Sequence, residues 1–369
     1  MGDQRLIYRP DRVSPPGETL ADLLEERCLT QKDLALRMGR PLKTINEIVK
    51  AKAAITAETA LQLEKALGTP SAFWIQRESN YREYLAKVAE GKRSEQWLSW
   101  LDTLPLKEMI VAGILPKLPH RTGEDRKVHL QTALRFFGVS SPDDYERIYA
   151  KPQVAYRRTL QDQSDIGAIA CWLRLGERAA EADRCPDFNR GGFEKALQEI
   201  RALTCQPPSG FQKQTIELCR ANGVILAFVP AIRRAHVSGV ARWIKQKPLI
   251  QLSLYGKTND RFWFTFFHEA GHILLHGKKQ VFLDEFSGHL IKSAEEDTAN
   301  AFAAEILIPR KDAVHLPRLK TRQDVQSFAT SIGIHPGIVA GRLQHEKIIP
   351  HTWLNDLKVS FRWNKSADG

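Results

Sequence analysis

Residues 261–276 read RFWFTFFHEAGHILLH, and residues 295–309 read EEDTANAFAAEILIP. The first run is too long and too continuously apolar for a strand. Asp260 in front can cap it as a helix, and Gly277 behind can close it. On that helix His268 and His272 stand four residues apart and share a face, so both imidazoles reach one metal ion. Glu269 lies beside the first of them, where a carboxylate can act as general base toward a metal-activated water. The flanking FWFTFF and ILL form an apolar wall, and a dry wall strengthens electrostatics.

Two histidines on a buried helix can also be satisfied core residues, so a zinc reading needs a third protein ligand. His276 fails as that ligand. It lies about 12 Å of helix rise from His268, and positions i, i+4 and i+8 cannot all bind one tetrahedral ion. It reads instead as a core residue or as one supporting a ligand from behind. Glu296 is the better candidate: it begins a helix 24 residues after His272 and shares a face with Ala299, Asn300 and Ala303. Small residues on that face let the helix approach the metal closely. Glu295 and Asp297 are turned from it by roughly 100° each. The same acidic trio also suits a helix N-terminus through the dipole, and spacing alone leaves both readings open.

Upstream the period changes. GVILAFVP (223–230), VSGVARWI (237–244) and PLIQLSLY (248–255) are short β-branched or alternating runs that read as strands, and the last could pair a substrate strand by edge addition. Residues 91–220 are mostly helical by periodicity, with loops at 116–127, 184–192 and 204–210. Downstream, GIVAGRLQHE (337–346) is the clearest further helix.

Residues 18–90 read as short amphipathic helices. Within them QKDLALRMGRPLKTINEIVK (31–50) follows Thr30, which can cap with Asp33 as its capping-box partner. Leu34 faces a core, Ala35 is small where a second helix crosses, Gly39 turns the chain, and Ile45 and Ile48 pin the second helix. Leu42, Lys43, Asn46 and Glu47 then point outward, with Thr44 between them. Lys and Asn side chains can read base edges in a major groove. Arg37, Arg40, Lys43, Lys50 and Lys52 oppose only Glu47 around this helix, which suits phosphate contact, and Gln31 opens the first helix where a phosphate can be met. The alternative is a helical bundle with a solvated basic face.

The chain has 369 residues and a net charge of +11, too long for one core and too ordinary in composition for a disordered or fibrous protein. The charge is not concentrated in the DNA-binding candidate: residues 1–90 carry 14 Lys/Arg against 13 Asp/Glu, and residues 169–260 carry 14 against 8. The latter stretch suits an acidic partner, a second DNA segment or simply a solvated face. Five scattered cysteines, none spaced CxxC, exclude a disulfide framework and point to a reducing compartment. Without a signal-peptide core or an apolar run of about 18 residues, the expectation is a cytoplasmic protein with no membrane association.

Two resemblances follow from these residues. FWFTFFHEAGHILLH with EEDTANAFAAEILIP resembles the ImmA/IrrE family of zinc metallopeptidases, whose pattern is HExxH, then ExxAN and FA, then an apolar run ending in Pro. Glu296, Ala299, Asn300, Phe302, Ala303 and Pro309 fill it. The resemblance implies zinc (Zn2+) held by His268, His272 and Glu296, with Glu269 as base. The stretch from Thr30 through LQLEKALGTPSAFW (61–74) resembles the XRE-type helix-turn-helix of HigA-type antitoxins, except that Ala51 stands where that family commonly has Gly. Together they imply a multidomain, mainly α protein. It has an N-terminal all-α helix-turn-helix bundle (1–88), a helical connector (89–210), an α+β zincin-like domain with a small sheet (211–320) and a helical tail (321–369).

The function implied is a DNA-binding transcriptional regulator fused to a zinc endopeptidase. Its partners are operator DNA, a helix-turn-helix repressor or a toxin protein, and a second copy of the chain. The DNA contacts fall to Gln31, Arg40, Leu42, Lys43, Thr44, Asn46, Glu47, Lys50 and Lys52. His236, Tyr255, His289 and His335 are candidates for polarising the scissile carbonyl, and each also has a structural reading. The rival functions are an antitoxin-like autorepressor whose peptidase-like half senses or scaffolds without turnover, and an interaction module with neither site active.

Overall fold

The computed structural model describes residues 13–118, 122–150, 165–254, 257–276, 282–285 and 294–362. They form two compact units, Met1–Leu98 and Ser99–Gly369. Among the described residues no helix is long and apolar enough to cross a membrane.

The first unit is all helical: α1 (Pro16–Glu26), α2 (Gln31–Met38), α3 (Leu42–Val49), α4 (Ala57–Leu67) and α5 (Ser71–Trp97). Helix α2 starts with the expected capping box: Thr30 Oγ1 accepts from Asp33 N–H at 3.1 Å, and Asp33 Oδ2 accepts from Thr30 N–H at 2.9 Å. It ends at Gly39, whose φ of 64° lets the chain turn into α3. Leu20, Leu34, Ile45, Ile48, Leu63 and Trp74 form the core. Helix α1 crosses the end of α3 so closely that a Cβ on Gly17 would lie 2.2 Å from the Ile48 carbonyl oxygen. The turn after α3 is left-handed at Ala51, with φ at 57°. Sequence periodicity reads only short helices here. Helix α5 instead runs 27 residues, straight through residue 88.

The second unit centres on a four-stranded sheet, β1 (Ile225–Phe228), β2 (Val237–Ile244), β3 (Lys247–Leu252) and β4 (Phe282–Glu285), in the order β1-β3-β2-β4. Strands β2 and β3 form an antiparallel hairpin, β1 joins β3 in parallel, and β4 joins β2 antiparallel with a bulge between Val237 and Gly239. β3 is therefore paired on both sides. Its ladder groups are spent, so it cannot take up a substrate strand as its sequence suggests. Among the described residues the edges are β1 and β4. The second of these is not legible in the sequence, because VFLDEF carries too short an alternation to register as a strand.

One sheet face carries α7 (Ile166–Ala182), preceded in the chain by α6 (Gly123–Phe137). Arg242 on β2 pairs with Glu177 at 2.8 Å, and Gln251 on β3 donates to the Trp172 carbonyl at 2.6 Å across the space that Gly176 leaves open. Among the described residues the other helices of ten residues or more are α8 (Arg190–Ala202), α9 (Pro208–Ala221), α10 (Asn259–Leu275), α11 (Ala294–Leu307), α12 (Arg322–Ile332) and α13 (Pro336–His345). A single apolar cluster runs from Phe193 to Phe361, so residues expected in a connector and in a tail share the core of the motif helix α10.

Helix α10 starts differently from its sequence reading. Its N-cap is Thr258, while Asp260 sits buried in the first turn and pairs with Lys358 at 2.6 Å. A buried carboxylate needs a cation more than a solvated cap does. The C-terminal segment supplies that cation and straps the helix start: Asn259 N–H donates to the Val359 carbonyl at 2.8 Å, and Phe361 packs on Phe211 and Phe262. Gly277, the expected closing residue, lies outside the described residues.

Candidate metal centre and helix-turn-helix face

Helix α10 lies against the sheet and against α11, its faces set by apolar spacing. His268 and His272 are 2% exposed and Glu269 is 0%. Glycine and alanine make the approach between the helices possible: a Cβ on Gly271 would meet Phe302 at 3.0 Å and the Ala299 Cα at 3.3 Å, and Ala299 and Ala303 are fully buried. That approach brings Glu296 to the histidine pair. Its Oε2 lies 3.3 Å from His268 Nε2 and its Oε1 lies 3.4 Å from His272 Nε2, while the two Nε2 atoms are 2.9 Å apart. Glu295 and Asp297 are not among the converging groups.

These spacings fit zinc. Ligands at about 2.0–2.1 Å on a tetrahedron stand about 3.3 Å from one another, and two imidazoles with one carboxylate are a zinc donor set that leaves a fourth position open. Protonation favours binding as well. Burial pulls His272 below its ordinary value, against the pull of the nearby Glu296 carboxylate, so the ring is neutral at neutral pH. Burial pushes Glu296 upward, but its contacts with the His268 and His272 imidazoles outweigh it and hold the carboxyl at about 2.

Groups behind the ligands orient them. His268 Nδ1 lies 3.0 Å from Asn300 Oδ1, His272 Nδ1 lies 2.9 Å from His276 Nδ1, and His276 Nε2 lies 2.9 Å from Thr298 Oγ1. His276 is thus partly exposed rather than a core residue. Glu269 lies under β2, where a Cβ on Gly239 would stand 2.8 Å from its Oε1. The roles of Thr298 and Gly239 escape sequence reading. Thr298 lies two residues beyond Glu296, and Gly239 looks like an ordinary weak point in a strand.

Of the carbonyl-polarising candidates, Tyr255 and His289 lie outside the described residues. His335 is engaged elsewhere: as N-cap of α13 its Nδ1 accepts from Gly337 N–H at 3.0 Å and lies 2.9 Å from Asn259 Nδ2. Asn259 is nine residues, or about 13 Å of helix rise, from His268. His236 immediately precedes β2 with φ at 49°.

On the helix-turn-helix face, Leu42, Lys43, Lys50 and Lys52 are exposed, and Gln31, Thr44, Asn46 and Glu47 are half-buried. Asn46 Nδ2 donates to Gln31 Oε1 at 3.2 Å, linking the first residue of α2 to the middle of α3. Arg40, expected as a phosphate contact, makes contacts within its own unit. Its guanidinium is held by Glu58 at 2.9 Å and by Gln62 at 2.7 Å, because α4 packs beside it.

The comparisons with known proteins agree with this division. The model of the helix-turn-helix matches residues 20–74, and that of the IrrE N-terminal-like domain, a peptidase family, matches residues 232–344. The chain therefore joins an XRE-type helix-turn-helix domain to an IrrE/ImmA-like peptidase-family domain. Among solved structures, an antidote protein of a HigA family from Coxiella burnetii is 31% identical over 23% of this chain and 94% of its own, with a TM-score of 0.22. Pseudomonas aeruginosa antitoxin HigA with the higBA promoter gives the same identity, coverage and TM-score. A putative antidote protein of a plasmid maintenance system from Nostoc punctiforme is 28% identical over 23% of this chain and 93% of its own, with a TM-score of 0.23. No curated protein matches the chain.

Proposed function

We propose that this chain is a DNA-binding regulator whose C-terminal unit is a zinc-dependent endopeptidase acting on a helix-turn-helix repressor or another regulatory partner protein. The observation that carries the reading is the convergence of His268, His272 and Glu296 within 4.8 Å of one another, with Glu269 buried one residue from the first ligand. Zinc held by those three supplies a Lewis acid for a scissile carbonyl and makes a water acidic enough to react near neutral pH.

The chain's own residues do the rest. Glu269 takes the proton of the attacking water and returns it to the departing amine. Asn300 holds the His268 ring through Nδ1, leaving Nε2 for the metal. The wall of Phe264, Phe266 and Phe267 limits water, and Phe264 stacks on His268 with ring centres 6.3 Å apart. Edge strand β4, which among the described residues pairs with β2 alone, receives an extended peptide on its other side. At the N-terminal unit, Gln31, Lys43, Thr44, Asn46, Lys50 and Lys52 contact operator DNA, and a second copy of the chain reads the other half-site. A compartment without oxidising chemistry, the cytoplasm, suits its free cysteines.

The test is Glu269→Gln in the full chain. Cleavage of the partner repressor should fall by about 10³-fold with zinc content and DNA binding unchanged. Cleavage at the parent rate would remove Glu269 from the chemistry, and parent protein that binds zinc but cleaves no partner would leave a sensor or scaffold.

A further inference from the structure

The face of His272 away from the metal site meets a second histidine, and that contact has a direction. His272 Nε2 is the nitrogen turned to the site, 3.4 Å from Glu296 Oε1 and 2.9 Å from His268 Nε2. A neutral imidazole carries one proton, so Nε2 offers its lone pair only when the proton sits on Nδ1. That Nδ1 lies 2.9 Å from His276 Nδ1, and two ring nitrogens at this distance share one hydrogen. Which ring supplies it decides whether His272 can bind metal.

The answer comes from the far end of the contact. Thr298 has one hydroxyl proton, and its Oγ1 donates it to the Glu295 carbonyl at 2.8 Å. A carbonyl cannot donate, so this bond fixes the order of the others. With its proton committed, Thr298 Oγ1 can only accept from His276 Nε2, 2.9 Å away. His276 then carries its proton on Nε2 and has a bare Nδ1, which accepts from His272 Nδ1–H. His272 then presents its lone pair at Nε2 to the site.

We infer that His276 and Thr298 are positioning residues that fix the metal-binding tautomer of His272, through the sequence His272 to His276 to Thr298 to the Glu295 carbonyl. This rests on the zinc-centre reading of the preceding section. The helix that carries Glu296 thereby contributes twice, with a ligand carboxylate and, two residues on, the anchor that prepares another ligand. Partners of this kind set ring orientation and basicity, and losing one lowers metal affinity by about 10–100-fold.

Zinc affinity of the full chain, measured by competition with a chromophoric chelator, tests this without reference to activity. His276→Leu should bind zinc about 10–100-fold more weakly. His276→Asn, whose side-chain oxygen can accept where Nδ1 did, should recover most of the loss. Thr298→Val should weaken binding severalfold and Thr298→Ser should not. Thr298 is exposed, so that pair stays informative even if changes at His276 disturb folding. Equal affinity in His276→Leu and the parent would overturn the relay. So would equal losses in His276→Leu and His276→Asn, which would make the ring mere packing. A parent chain without stoichiometric zinc would overturn the metal centre itself, a result distinct from either.

Discussion

His268, Glu269 and His272 are at most 2% exposed, whereas the Lys43 side chain in α3 keeps 86% of its surface in solvent. The difference matches what each region is proposed to hold. A small cation must be gripped in a dry place by ligands already oriented, and the proposed metal site is buried and backed by Asn300, His276 and Thr298. A DNA backbone is long and brings its own counterions, so the face proposed to meet it would work by releasing them with solvated cations of its own. One region is organised before its partner arrives, and the other needs only a rigid helix to carry the charges.

Changes on the two sides should therefore read differently. Gly239→Ala puts a methyl group 2.8 Å from Glu269 Oε1 and 2.6 Å from Thr265 Cγ2, and should cost about 10²-fold in peptidase rate by displacing the carboxylate, with zinc content kept. Steady-state cleavage together with metal analysis checks it, and an undiminished rate would show that Glu269 tolerates movement.

The buried side should also be sensitive to acid. Glu296 titrates near 2 in the folded chain against an ordinary 4.5, so on acidification the unfolded state takes up its proton first. Its contribution, on the order of 2–3 kcal/mol, is present above about pH 5 and drains away as the pH falls toward 2. Denaturant unfolding of zinc-free protein between pH 6 and pH 3 should show that slope, and Glu296→Gln should flatten it.

The exposed side should answer to salt. Lys43→Ala with Lys52→Ala should weaken operator binding and lower the salt slope by about 2, one for each lost phosphate contact. An unchanged slope in a binding titration would place the DNA face elsewhere. The smallest effect is expected at Ala51, whose φ of 57° strains a residue with a Cβ. Ala51→Gly should raise the stability of the N-terminal unit by about 0.5–1 kcal/mol, measurable as a shift in its thermal midpoint.

How legible each region is follows from the same contrast. The helix-turn-helix is written in one continuous stretch: Thr30 and Asp33 cap, Gly39 turns, and Ile45 and Ile48 anchor, all through contacts of short range. Even the left-handed position at Ala51 is visible as a departure from the family's usual glycine. What is not legible there is the setting of Arg40, because its partners Glu58 and Gln62 come from the next helix but one. In the peptidase-like unit the histidine spacing is likewise local, and Glu296 can be picked out by helical phase and small neighbours. Its alternatives can be dismissed only when α11 is laid against α10.

Local spacing and capping determined by themselves the helix-turn-helix, the paired histidines with their adjacent carboxylate and the first three strands, since those forces act within a few residues along the chain. Tertiary packing alone decided that β3 lies inside the sheet and β4 at its edge, that Asp260 is clamped by Lys358 and that Thr298 reaches His276. Each of these depends on segments between 22 and about 100 residues apart meeting at hydrogen-bonding distance, a condition no local pattern encodes.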